Sequence, residues 1–162
     1  MTGVQTCALP IFEDALYKRY GIESEFVGHP LLDVVKVTSP KEEVYRKYGL
    51  AAGKKTVAIL PGSRVSEIKV FLPILAQAAA LISAKLGNVQ FVISKHPGRP
   101  ASEYEEALRG SQLDYRFVEG DLHNIVAASD FAIVASGTAT LETAILGTPL
   151  ILVYKEIGRA HV

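Results

Sequence analysis

The chain has 162 residues, 49% of them hydrophobic and 21% charged, enough for one compact domain with an apolar core and too apolar for a disordered segment. Lysine plus arginine and aspartate plus glutamate are each 17, so no global field of either sign draws in nucleic acid or an acidic surface, and any phosphate must be held locally. The single cysteine, Cys7, excludes an internal disulfide and points to a reducing cytosol, and no Cys/His spacing suits a metal.

In chain order, residues 1–11 (MTGVQTCALPI) carry neither the basic start nor the apolar stretch of a signal peptide. They and residues 156–162 (EIGRAHV) read as non-native ends and are set aside. Residues 12–40 hold a short helical pattern, a strand-like piece at 25–27 and Ser39-Pro40, the pattern of a preceding domain's tail and a linker. An amphipathic charged segment follows at 41–48. Apolar, β-branched runs then recur at 56–60, 89–94, 115–118, 131–135 and 150–154. Between them lie helical patterns at 67–86, 102–109, 121–128 and 138–146, with Gly87, Gly110 and Gly147 as C-terminal stops. Strands apolar along nearly their whole length, alternating with helices, predict a doubly wound α/β domain over 41–155, with a parallel sheet covered on both faces. The longest apolar stretch, around residues 72–86, is interrupted by Gln77 and Lys85 and falls short of a membrane span, so membrane contact is expected to be peripheral.

In such sheets ligands sit beyond the carboxyl ends of the strands, where loops enter helix N-termini. Two loops have suitable composition. In Leu60-Pro61-Gly62-Ser63-Arg64, Gly62 permits close backbone approach, Ser63 can cap the following helix or donate to an oxygen, and Arg64 offers a planar fork to a phosphate. An ordinary turn with a capping serine explains that loop equally well. The second loop, Ser136-Gly137-Thr138-Ala139, follows a fully apolar strand, and its small residues expose N–H groups at the positive end of a helix, which suits a diphosphate. With Thr138 as cap, Glu142 falls one residue beyond the capping-box position, where a carboxylate can accept paired hydrogen bonds from the two hydroxyls of a ribose. His29 follows a strand end in Gly28-His29-Pro30, where an interdomain loop could face a ligand; His96 and His123 read as surface or packing residues, and His161 lies in the set-aside tail.

Three segments taken together, FVGHPLLD (26–33), LPGSRVSEI (60–68) and ASGTATLETAILGTPLILVYK (135–155), resemble the lipid-A-disaccharide synthases in order and spacing. The resemblance runs from about residue 12 to about residue 155. It implies the Rossmann-like C-terminal half of a GT-B glycosyltransferase, a two-domain fold that holds the donor nucleotide in the C-terminal domain and the acceptor in the N-terminal one. The implied reaction is inverting transfer of 2,3-diacylglucosamine from its UDP derivative to 2,3-diacylglucosamine 1-phosphate, forming a β-1,6 disaccharide and UDP in the cytoplasm, peripheral to the inner face of the membrane.

By the same resemblance, Gly62, Ser63, Arg64 and the Ser136–Ala139 loop hold the diphosphate, Glu142 the ribose, and His29 lies at the cleft. The general base belongs to the N-terminal domain, and neither a metal nor another cofactor is expected. Two rivals stand beside it. UDP-N-acetylglucosamine 2-epimerases and the peptidoglycan glycosyltransferase also place a small-residue loop before a glutamate, but usually with consecutive glycines where this chain has Ser136-Gly137-Thr138. The other rival is a nucleotide-binding module without transferase activity.

Overall fold

The computed structural model describes residues 11–155; Cys7, His161 and, apart from Ile11, the two set-aside ends lie outside the described residues. The chain forms two compact units, Met1–Val35 and Lys36–Val162. In the first, α1 (Ile11–Arg19) carries acidic residues in its first turn and basic ones in its last, the arrangement its dipole favours. Ser24 Oγ donates to Asp14 Oδ1 at 2.7 Å, tying the segment after α1 back onto it. A single-turn helix, α2 (Leu31–Val34), follows Pro30. Residues 25–27, expected as a strand, form none. So short a strand-like piece cannot make a strand without a partner to satisfy its backbone groups.

The second unit is a five-stranded parallel sheet in the order β3-β2-β1-β4-β5. Its strands are β1 (Lys55–Leu60), β2 (Val89–Lys95), β3 (Tyr115–Glu119), β4 (Phe131–Ala135) and β5 (Leu150–Val153). The helices are α3 (Lys41–Tyr48), α4 (Val65–Leu86), α5 (Ala101–Ala107), α6 (Leu122–Ala128) and α7 (Thr138–Ile145). The central strand β1 is buried at every position after its first residue because both its faces are covered. Val57 and Ile59 join a core with Ile68, Leu72 and Ala79 of α4 and Tyr104 of α5. Ala58 and Leu60, one residue out of phase, join a second core with Val44 of α3 and Ile125 and Val126 of α6. The period-two alternation of a strand thus feeds two helical layers. The doubly wound α/β fold expected from the sequence is the fold of this unit.

Helix α4 runs 22 residues with a mean hydropathy of 1.7 in its most apolar window, long and apolar enough by composition alone to cross a membrane. This differs from the expectation of no such stretch, because Gln77 and Lys85 interrupt the apolar run without interrupting the helix. Its apolarity has a packing cause: Ile68, Leu72 and Ala79 are fully buried against the sheet. Residues 36–40 belong to the second unit, where the N–H groups of Thr38 and Ser39 donate to Asn124 Oδ1 at 2.8 and 3.1 Å.

The strand order decides where a ligand can sit. From β1 the chain crosses by α4 to β2 and on to β3, then returns by α6 to β4 on the other side of β1. The loops leaving the carboxyl ends of β1 and β4 therefore diverge to opposite faces of the sheet, and a crevice opens between them.

Candidate functional site

A cleft of about 440 Å³ occupies that crevice. Both loops singled out in the sequence line it: Gly62, Ser63 and Arg64 after β1, and Ser136, Gly137, Thr138 and Ala139 after β4, with Glu142 from the second turn of α7. His29 is not among them; it belongs to the first unit, where its Nδ1 accepts the N–H of Leu31 at 3.2 Å.

The two loops are built differently. After β1, Gly62 turns the chain at φ 101°, and Arg64, in extended conformation, is the N-cap of α4. The helix starts at Val65, two residues before its expected start, and Ser63 does not cap it. The N-terminal donors are met instead by Glu67, at the third helical position, whose Oε2 accepts the N–H groups of Ser63 and Arg64 at 3.0 and 3.1 Å. Its Oε1 accepts Arg64 Nη1 at 2.9 Å. A carboxylate that can reach back to the cap donors outcompetes a serine hydroxyl there. The glycine serves the same contact: a Cβ on Gly62 would lie 2.8 Å from Glu67 Cβ. The close approach expected of Gly62 is therefore made by the protein's own carboxylate. Apart from this pair, the Arg64 side chain is 80% exposed.

After β4, Ser136 N–H still donates to Val153 O at 2.9 Å, extending the ladder to β5. Gly137 is the N-cap of α7, so Glu142 is the fifth helical residue, one place further along than with Thr138 as cap. Among the described residues, the N–H groups of Gly137, Thr138 and Ala139 have no acceptor. A helix N-terminus with free donors, opening into a cleft, attracts an anion through both its hydrogen bonds and its dipole.

The sequence reading passed over a third wall of the cleft, made of Ser94, Lys95, His96 and Pro97 after β2. His96 is exposed, as a surface residue is, and also lines the cleft. Its Nδ1 accepts the N–H of Gly98 at 3.1 Å, so in the neutral ring the proton sits on Nε2. Its own N–H donates to the hydroxyl of the buried Tyr104 at 3.0 Å. Arg99 Nε donates to Ser63 O at 3.3 Å, joining this wall to the β1 loop. The signal that could have found these residues is strand order: β2 neighbours β1, so its carboxyl end must border the same crevice.

His123, also read as packing or surface, stands 3.2 Å by its Nε2 from Glu142 Oε1. The turn that carries it is held by Asp121, whose Oδ2 accepts Lys47 Nζ and Tyr48 Oη at 2.7 and 2.8 Å. Burial pushes the Asp121 carboxyl up, and hydrogen bonds from Lys47, Asn124 and Tyr48 together outweigh it and hold the group below the ordinary aspartate value. Among the described residues, no three His, Cys, Asp or Glu side chains gather as metal ligands would.

The chain matches the family model described as lipid-A-disaccharide synthetase over residues 5–157. Among curated proteins it is 43% identical over 150 residues to the lipid-A-disaccharide synthase of Syntrophus aciditrophicus, covering 89% of this chain and 38% of that protein. It is 39% identical over 150 residues to the lipid-A-disaccharide synthase of Albidiferax ferrireducens, covering 92% and 38%. The chain thus spans under two-fifths of the length of these relatives. Among solved structures, it superposes on a crystal structure of Anabaena HepE in complex with UDP-glucose with a TM-score of 0.52 at 18% identity, covering 90% of this chain and 43% of that one. At that identity the likeness is one of fold.

Proposed function

Because the chain belongs to the lipid-A-disaccharide synthetase family, we propose that its cleft is the donor site of a lipid-A-disaccharide synthase, binding UDP-2,3-diacylglucosamine. The observation that carries this is the cleft between the β1 and β4 loops, walled on one side by three N–H groups at the start of α7 that have no partner among the described residues. In the proposed two-domain GT-B enzyme, residues 12–40 are the tail of the acceptor domain and the linker, and residues 41–155 are the nucleotide-sugar domain.

The reaction proposed is the one that the family resemblance implies. A sugar hydroxyl of 2,3-diacylglucosamine 1-phosphate attacks the anomeric carbon of the donor, the carbon–oxygen bond to the diphosphate breaks, and its electron pair leaves on UDP. The acceptor proton goes to a general base outside the cleft loops, on the acceptor side. Attack opposite the leaving group inverts the anomeric centre. The chain's own contribution is to hold UDP and stabilise the charge that grows on it. The N–H groups of Gly137, Thr138 and Ala139 and the α7 dipole meet the diphosphate, with the Ser63 hydroxyl beside them. Arg64 leaves Glu67 to clamp the phosphates from the opposite side, and Glu142 accepts the ribose hydroxyls. Acyl chains on both substrates place the enzyme at the inner face of the cytoplasmic membrane.

A ligand that binds only the native state raises stability by RT ln(1 + [L]/Kd). A thermal melt of the chain with millimolar UDP is expected to shift upward, and CMP at equal concentration to shift it less. Equal shifts would overturn the uridine assignment, and the absence of any shift would overturn the donor site.

A further inference from the structure

A carboxylate that must receive two vicinal hydroxyls at once is useful only if its orientation is fixed before the ligand arrives. Glu142 sits on α7 with three rotatable side-chain bonds, and nothing on its own helix is recorded as holding its oxygens. Among the described residues its one partner is His123, from the second position of α6, 3.2 Å away, with the two side chains 24% and 17% exposed. A carboxylate has no proton to give, so His123 Nε2 is the donor. One lone pair of Oε1 is thereby used, and Oε2 remains free.

The backbone that presents His123 is fixed by the densest polar network of the unit. Asn124 Nδ2 donates to Asp121 Oδ1 at 2.6 Å, and Asn124 Oδ1 receives the N–H groups of Thr38 and Ser39. Asp121 is gripped from α3 by Lys47 and Tyr48. Ile125 and Val126, immediately after, are buried in the core. None of these groups lines the cleft, and donor binding as described above does not call on them.

We propose that His123 is a positioning residue: it holds the Glu142 carboxylate in the orientation that receives the ribose diol, and the Lys47–Tyr48–Asp121–Asn124 network holds His123. The inference rests on the cleft being a UDP-sugar site. A tie between α6 and α7 that served the fold alone would affect stability and leave ligand discrimination untouched.

The test pairs the variant with the ligand group it acts on. UDP and 2′,3′-dideoxy-UDP are titrated calorimetrically into the wild-type chain, His123→Ala, His123→Gln and Glu142→Gln. His123→Ala is expected to weaken UDP by about 2- to 12-fold, equivalent to the ~0.5 to 1.5 kcal/mol of ordering one side chain on binding. Binding of the dideoxy ligand should not change. His123→Gln returns an N–H donor near Nε2 and is expected to recover most of the loss. In a Glu142→Gln background, His123→Ala should have no further effect on UDP. If alanine does not fold, His123→Leu keeps bulk, loses the donor and gives the same contrast. Equal effects of His123→Ala on both ligands, or no effect on either, while Glu142→Gln still separates them, would overturn the positioning role and leave the donor site standing. Failure of the wild type to bind UDP, or of Glu142→Gln to separate the two ligands, would overturn the donor site and this inference with it.

Discussion

The loops after β1 and β4 look alike as sequence, each a strand, a glycine, a hydroxyl residue and a helix, yet they differ in how the donor at the helix cap is met. After β1 the two donors at the helix start and the Arg64 guanidinium are already bonded to one carboxylate, Glu67. After β4 Ser136 N–H is used in the ladder to β5, and the cap donor, Gly137 N–H, has no acceptor among the described residues. The cap donor of the first loop is filled from within, and that of the second is open. The presence of small residues before a helix therefore does not locate a phosphate site; what matters is whether the third helical residue is an acid. Here it is Glu67 in one helix and Thr140 in the other.

The two glycines should fail in different ways. Gly62→Ala forces a side chain into φ 101° and against Glu67, so a loss of about 2 to 4 kcal/mol in folding stability is expected from backbone strain plus overpacking. Urea denaturation measures it, and a change below ~0.5 kcal/mol, the range of an ordinary surface substitution, would break the contrast between the loops.

A smaller effect is expected where the internal carboxylate competes with ligand. A contact from Arg64 to phosphate, worth about 1.5 to 3 kcal/mol, is offset by the exposed pair it gives up, worth ~0.2 to 1 kcal/mol. Arg64→Ala should then weaken UDP about 5- to 30-fold, the affinity equivalent of a net ~1 to 2 kcal/mol, while leaving uridine unchanged. Glu67→Gln keeps an acceptor for the Ser63 and Arg64 N–H groups but releases the charge. It is expected to tighten UDP by about 2- to 5-fold, at ~0.5 to 2 kcal/mol of stability for the weakened cap. Tighter UDP binding by Arg64→Ala, or weaker binding by Glu67→Gln, would refute the competition.

Legibility followed the same division. The sheet and its helices were readable because each strand is an apolar run bounded by turn residues, and because both faces of β1 are covered. The glycine-rich loops were readable because strand ends leading into helices are where parallel sheets bind. The strand-like piece at 25–27 misled, since three residues of strand-like composition say nothing about a pairing partner. His96 and His123 were given no part in the site for a related reason: strand order brings His96 to the cleft, helix juxtaposition brings His123 to Glu142, and neither leaves a local pattern. Capping stood among the roles open to Ser63 because the reach of Glu67 back across one turn depends on where the helix begins, and two residues decided it.

The smallest expected effect concerns the support beneath α6. Asp121 is held below its ordinary value, so its contribution is fully present above the unfolded value of about 3.9 and is lost as pH falls from there through the lower folded value. Asp130, where burial acts upward but is outweighed by the Thr56 N–H and Lys55, behaves in the same sense. Stability measured from pH 5 to pH 2 should therefore decline, with a shallower decline in Asp121→Asn. An identical slope would mean that the network carries no linked charge.

The most direct measurement is calorimetric titration of UDP and of uridine into the wild type and Gly137→Ala. Gly137 is extended, at φ 164°, and an added Cβ meets nothing within 4 Å, so the variant should fold as the wild type does. Its methyl group enters the open donor loop. The wild type is expected to bind UDP at least about tenfold more tightly than uridine, a difference of ~1.4 kcal/mol, and Gly137→Ala to lose that preference while keeping uridine and its melting temperature. A Gly137→Ala protein that binds UDP as tightly as the wild type would contradict an anion site at the start of α7.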